Sequence, residues 1–181
     1  MLNVFLVGFM GTGKSSVGRR LSKEMGLRFI DTDELIEAQA KMSISEIFRL
    51  KGEDQFRELE EEVLSKIARF QGCVVATGGG IVLRERNIET MRRSGIVVCL
   101  TASPEAIYSR LKDDSNRPLL AGGNAMNRIE EMLAYRKPYY EKAEYIIDTS
   151  DLSVGQAVAE VGRIVKSQYR KSHPEPFDTS G

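Results

Sequence analysis

The chain has no net charge. Its 26 basic and 26 acidic residues cancel over 181 positions, so bulk electrostatics draws it neither to nucleic acid nor to an anionic membrane surface, and neither is expected as a partner. It has no long hydrophobic run, since none approaches the ~18 residues of a membrane span. No basic stretch precedes its first apolar run, so no signal peptide is expected. Histidine and cysteine are nearly absent. The single histidine, His173, lies far along the chain from Cys73 and Cys99, the only two cysteines, which leaves no Cys–His pair for nucleophilic catalysis. Both cysteines fall inside apolar, strand-like runs and read as buried thiols, which points to a reducing, cytoplasmic setting. What remains is a composition of 41% hydrophobic and 29% charged residues, that of a globular protein of one-domain length, long enough to bury a core. A monomer is expected, because no apolar stripe is left over for an interface.

Five β-branched apolar runs stand out: "NVFLVG" from Asn3, "RFID" from Arg28, "CVVAT" from Cys73, "IVVCLT" from Ile96 and "EYIID" from Glu144. Helical patterns separate them, and that alternation predicts an α/β fold with a parallel sheet. Ligands bind such sheets beyond the carboxyl ends of the strands. Those ends read "GFMGTGKSS", "DTD", "TGGG", "TASPE" and "DTSD". Residues 34–71 read as three helical segments where one would suffice, so the second crossover carries an insertion. "KDDSNRPLLAGGN" from Lys112 reads as a mobile loop, and "SHPEPFDTSG" at the end as a frayed tail.

Gly8, Gly13, Lys14 and Ser15 satisfy G-x-x-x-x-G-K-[ST]. With a strand before and a helix after, this is the loop whose backbone N–H groups cradle the phosphates of a nucleoside triphosphate. Lys14 supplies a point charge for the β- and γ-phosphates, Ser15 a hydroxyl for Mg²⁺, and the helix N-terminus its positive end.

Four further features are unusual. The helical stretch from Glu53 has an apolar stripe of Phe56, Leu59, Val63, Leu64 and Ile67. Glu60 projects inside it and Arg57 lies at its edge. The pair is either a structural ion pair or a device that aims the Arg57 fork at a bound anion. The helix from Ala125 sets Arg136 within an apolar face of Met126, Ile129, Met132, Leu133 and Tyr140. Arg136 either snorkels to water or points into a cleft, and Pro138 should end or kink that helix. Asp31 and Asp33 end the second strand and in an extended chain point the same way, one suited to a metal's water shell and one to substrate; alternatively Asp33 only caps the next helix. Gly78, Gly79 and Gly80 form either a flexible turn or bare backbone that a small ligand can touch. Two arginines, an aspartate and bare backbone beside a triphosphate suit a small polyhydroxylated carboxylate.

"GFMGTGKSSVG" from Gly8, "DTD" from Asp31, "FRELE" from Phe56, "ATGGG" from Ala76, "RPLL" from Arg117 and "YRKPYY" from Tyr135 together resemble shikimate kinase, over nearly the whole chain. The resemblance implies a three-layer P-loop kinase fold, a five-stranded parallel sheet flanked by helices. Residues 1–171 would form one domain, with a substrate-binding insertion at about 33–60, a lid at about 112–124 and a disordered tail at 172–181. It implies transfer of the γ-phosphoryl of ATP to the 3-hydroxyl of shikimate, in the pathway to chorismate and the aromatic amino acids, with Mg²⁺. Lys14, Asp33 and Arg117 would be catalytic. Gly11, Thr12, Gly13, Lys14, Ser15, Ser16, Arg110 and Arg117 would bind the nucleotide, with Arg110 flanking the adenine. Asp33, Arg57, Gly78, Gly79, Gly80 and Arg136 would bind shikimate. Ser15 and Asp31 would face the metal. Another small-molecule kinase, for gluconate or a nucleotide, and a non-catalytic ATP-binding module are the rival readings.

Overall fold

The computed structural model describes residues 2–112 and 124–172. Five strands pair side by side: β1 (Asn3–Val7), β2 (Arg28–Asp31), β3 (Cys73–Ala76), β4 (Gly95–Thr101) and β5 (Tyr145–Asp148). Their order is β2-β3-β1-β4-β5 and every pairing is parallel. Among the described residues the helices are α1 (Lys14–Met25), α2 (Thr32–Ala40), α3 (Ile44–Ile67), α4 (Glu85–Ser94), α5 (Pro104–Leu111), α6 (Ala125–Tyr140) and α7 (Val154–Ser172). Each expected strand is present where the apolar runs placed it.

Strand side chains alternate between faces, and here both faces are covered. Phe5 and Val7 join Val75, Val97 and Cys99 in a core completed by α2 to α6; Val4 and Leu6 join Val74, Val98 and Leu100 in a second core with α1 and α7. That is why the central strands read as unbroken apolar runs and not as alternating ones. The three-layer arrangement follows.

The crossover from β2 to β3 holds the insertion. Ser43 starts α3 with a reciprocal cap: its hydroxyl accepts from the Glu46 amide while the Glu46 carboxylate accepts from the Ser43 amide, worth about 1 kcal/mol. At Gly52 the backbone leaves the helical region, with φ 81° and ψ 173°. A Cβ there would meet nothing within 4 Å, so the position wants glycine for its φ alone. With α2, the two parts of α3 make the three expected segments.

Pro138 does not end α6, which runs on to Tyr140. Pro138 and Ala134 both lie on the exposed side, where water can take the Ala134 carbonyl that lacks its amide donor. The expected lid, including Arg117, and the expected tail beyond Ser172 lie outside the described residues. No helix among the described residues is long and apolar enough to cross a membrane.

Candidate active site

The loop after β1 must turn its amides inward to hold an anion, so its carbonyls face outward and need donors. They have them. Lys14 Nζ donates to the carbonyls of Gly8 and Phe9, each at 2.8 Å. Thr12 Oγ1 donates to Phe9 at 2.8 Å. Arg110 Nη1 donates to Gly11 at 3.1 Å, and the Thr149 hydroxyl lies 3.0 Å from the Thr12 carbonyl. Gly8 runs so close to β4 that a Cβ would lie 2.1 Å from the Leu100 carbonyl oxygen. Gly13 precedes α1 with no side-chain cap, which leaves the first amides of that helix to a ligand.

Beside this loop, Ser15 Oγ donates to Asp31 Oδ2 at 2.8 Å, and Asp31 Oδ1 accepts from the Asp33 amide at 3.1 Å. Asp31, not Asp33, is therefore the N-cap of α2. Asp33 stands in the first turn of that helix, so the two carboxylates reach the same cleft from a cap and a helix and not from one extended strand. Buried Thr32 anchors the turn, its hydroxyl accepting from the Gly78 amide at 2.9 Å.

The three glycines after β3 make room for charged side chains. A Cβ on Gly78 would lie 2.6 Å from Asp33 Oδ1 and 2.9 Å from Glu60 Oε1; one on Gly80 would lie 2.3 Å from Arg57 Nη1. A Cβ on Gly79 would lie 3.6 Å from Arg136 Nη1. The Gly78 amide is already used by Thr32, so at that position the missing Cβ matters more than bare backbone.

Arg57 is buried and held from two sides, by Glu60 at 2.6 Å and by Glu53 at 2.8 Å. Glu60 is fully buried and its Oε1 has no hydrogen-bond partner among the described residues. Burial pushes its carboxyl up to about 7, and nearby Asp33 pushes the same way, against the pull of Arg57 and Arg136. Arg136 is half-buried, 5.6 Å above the Phe9 ring. Its Nε is buried without a hydrogen-bond partner among the described residues, which does not fit an arginine that has snorkelled to water. Tyr140 donates to the Gly79 carbonyl at 2.7 Å. Burial holds its phenol at about 12, so it stays protonated.

Lys14, Ser15, Asp31, Asp33, Arg57, Glu60, the three glycines and Arg136 line one cleft of about 1160 Å³ at the carboxyl ends of the strands, and Arg110, Leu152 and Val154 line it as well. That exceeds the ~300–1,000 Å³ of a single small-ligand pocket, as two substrates require. Among the expected site residues, Gly11 to Ser16, Asp31, Asp33, Arg57, Gly78 to Gly80, Arg110 and Arg136 are brought together. Arg117 lies outside the described residues. The sequence reading missed Thr32, Thr149 and the Tyr140 hydroxyl. Tyr140 falls on an apolar helix face and reads as core, and a buried threonine carries no pattern of its own.

A family model described as shikimate kinase matches residues 10–166. The chain belongs to the shikimate kinase family. It is an ATP-dependent small-molecule kinase. It is 47% identical over 173 residues to the shikimate kinase of Thermodesulfovibrio yellowstonii, covering 96% of this chain and 98% of that protein. It is 47% identical over 164 residues to that of Geobacter sulfurreducens, covering 91% of each. Its structure is similar to the shikimate kinase of Acinetobacter baumannii in complex with shikimate, with a TM-score of 0.87, 36% identity, and 93% of this chain and 94% of that one covered. The shikimate kinase relatives also make sense of the buried cations: a family acting on a small acid has use for arginines placed among apolar neighbours. Cys99, by contrast, is fully buried in β4, and burial pushes its thiol up to about 12, away from the thiolate a nucleophile needs.

Proposed function

We propose that this chain transfers the γ-phosphoryl of ATP to the 3-hydroxyl of shikimate, giving shikimate 3-phosphate and ADP on the route to chorismate and the aromatic amino acids. The observation that carries the reading is the convergence of Arg57 and Arg136 on the glycine turn at 78–80, in the cleft that also contains the Lys14–Ser15 loop. Two guanidinium forks suit a carboxylate, and Asp33 suits hydroxyls.

The loop residues fit a nucleotide with Mg²⁺. No group of three His, Cys, Asp or Glu among the described residues could hold a metal by itself. Mg²⁺ commonly uses one or two carboxylates together with phosphate oxygens and water, which matches the Ser15–Asp31 pair. Bound MgATP supplies the phosphoryl group and part of the charge neutralisation. Lys14 neutralises charge on the phosphates, and the amides of residues 11–16 hold their oxygens. Leu152, Val154 and Arg110 flank the base. Arg57 and Arg136 clamp the substrate carboxylate, with Glu60 fixing the Arg57 fork. Asp33 orients the acceptor hydroxyl toward the γ-phosphorus. Arg117 stabilises charge on the transferring group, a part worth roughly 10³–10⁵ in rate in related chemistry. The enzyme works as a cytoplasmic monomer.

A coupled ADP-release assay with shikimate, gluconate and nucleoside monophosphates tests the reading. Turnover is expected with shikimate alone. Faster turnover with gluconate or a nucleotide would replace it.

A further inference from the structure

We infer that Thr149 is a positioning residue for phosphate binding. It holds the back of the phosphate loop so that the loop's amides stay turned toward the cleft. The inference rests on the reading of residues 8–15 as a triphosphate site, and it concerns a residue that lines the cleft and acts through the loop's carbonyls.

Thr149 directly follows β5 and is 3% exposed. Its hydroxyl meets three groups: the Thr12 carbonyl at 3.0 Å, the Thr101 carbonyl at 2.9 Å and Arg110 Nη1 at 3.2 Å. A hydroxyl has one proton to donate. Arg110 has no acceptor, so it donates to Thr149 Oγ1. A carbonyl oxygen has two lone pairs, so the Thr101 carbonyl, which takes the Thr149 amide at 2.8 Å, does not depend on the hydroxyl; we assign the hydroxyl proton to Thr12. The result is a chain of donation from Arg110 through Thr149 to Thr12, which joins α5, β5 and the phosphate loop.

Arg110 makes the clamp two-handed. The Nη1 that meets Thr149 also donates to the Gly11 carbonyl at 3.1 Å, while Nη2 donates to the Thr149 and Ser150 carbonyls at 2.5 and 3.1 Å. Gly11 and Thr12 are consecutive, and rotating the peptide that follows Thr12 would carry its carbonyl off Thr149 and turn the Gly13 amide with it. Their outward carbonyls are each held by one end of this pair. Lys14 holds the Gly8 and Phe9 carbonyls from within the loop, so Thr149 is the tie that comes from the far side of β4.

The test is Thr149→Val, which keeps the β-branched shape and removes the hydroxyl, beside Thr149→Ser, which keeps the hydroxyl. ADP and shikimate binding are each measured by titration calorimetry on the purified full chain. A buried carbonyl left without its donor should weaken ADP binding by about tenfold in the valine variant. Shikimate binding should change less than about twofold, and the serine variant should recover ADP binding to within about threefold. If the valine variant does not fold, Thr149→Ala is read in its place, since it sets no methyl against the carbonyl. Unchanged ADP binding in the variant without the hydroxyl overturns the clamp, as does a serine variant that is equally weak, or a parallel loss of shikimate binding. If the unaltered chain binds no ADP, the phosphate-loop reading falls and the clamp falls with it.

Discussion

Replacing Gly80 by alanine adds one methyl group to the most crowded part of the cleft. Gly80 has φ −101° and ψ −1°, a conformation alanine adopts freely, so no backbone strain enters. The methyl would lie 2.3 Å from Arg57 Nη1 and 2.6 Å from Nη2, so the guanidinium has to move. Its easiest retreat is toward exposed Glu53, away from Glu60. Stripping a buried carboxylate of its partner costs about 3–5 kcal/mol. Glu60 can reduce that cost by keeping its proton, since burial already pushes its carboxyl up to about 7 from the ordinary 4.5. A carboxyl raised in the folded state contributes stability below its unfolded value and loses it as pH rises through its folded value. In the variant the folded value lies higher still. The deficit from this source should therefore be small at about pH 6, where Glu60 is mostly protonated in both proteins, and grow above about pH 7, by about 1.4 kcal/mol for each unit between the two values. Urea denaturation at the two pH values measures it. Kinetics supply the second reading: with one charged fork misplaced, about 1.5–3 kcal/mol of binding is lost, so KM for shikimate should rise roughly 10- to 100-fold, while KM for ATP stays nearly constant. A variant with wild-type KM for shikimate, or a deficit that does not change with pH, refutes the argument that Glu60 and Gly80 together aim Arg57.

Arg136→Ala should raise KM for shikimate by about tenfold or more with ATP affinity nearly kept; if both affinities fall together, α6 has been damaged and the assignment is unsupported. Arg117→Ala should lower kcat by about 10³, and a loss below about tenfold contradicts its part. Asp31→Ala removes both the α2 cap and the Ser15 partner. It should cost about 1 kcal/mol of stability and move half-saturation by Mg²⁺ to a higher concentration, so an unmoved Mg²⁺ titration counts against Asp31 as a group facing the metal.

The sheet was legible because its strands are buried on both faces and their apolar runs break cleanly at glycine or aspartate, as at "NVFLVG" and "RFID". Glu60 and Arg136 were legible for the opposite reason: a charge inside an apolar stripe violates the pattern and asks for a partner. The role of the glycines at 78–80 was not legible. It depends on Asp33, Arg57 and Glu60 arriving from two other elements, and sequence spacing does not report that crowding. Thr32 and Thr149 stayed hidden because a threonine at a strand end looks the same whether its hydroxyl meets water or a carbonyl 137 positions away. That Asp31 and not Asp33 caps α2 was not legible, since a cap and a first-turn residue can be told apart only by which carboxylate accepts from which amide.

Both native thiols lie in the sheet, Cys73 at 1% exposure and Cys99 at 0%, and neither should react readily with a maleimide under native conditions. One cysteine introduced on the outer surface of α2 would then carry a fluorophore at a single known address, with no need to delete the endogenous residues first. Such a reporter would follow the rim of the cleft in real time as each substrate arrives, in a protein whose own sequence contains no tryptophan to serve as an optical probe.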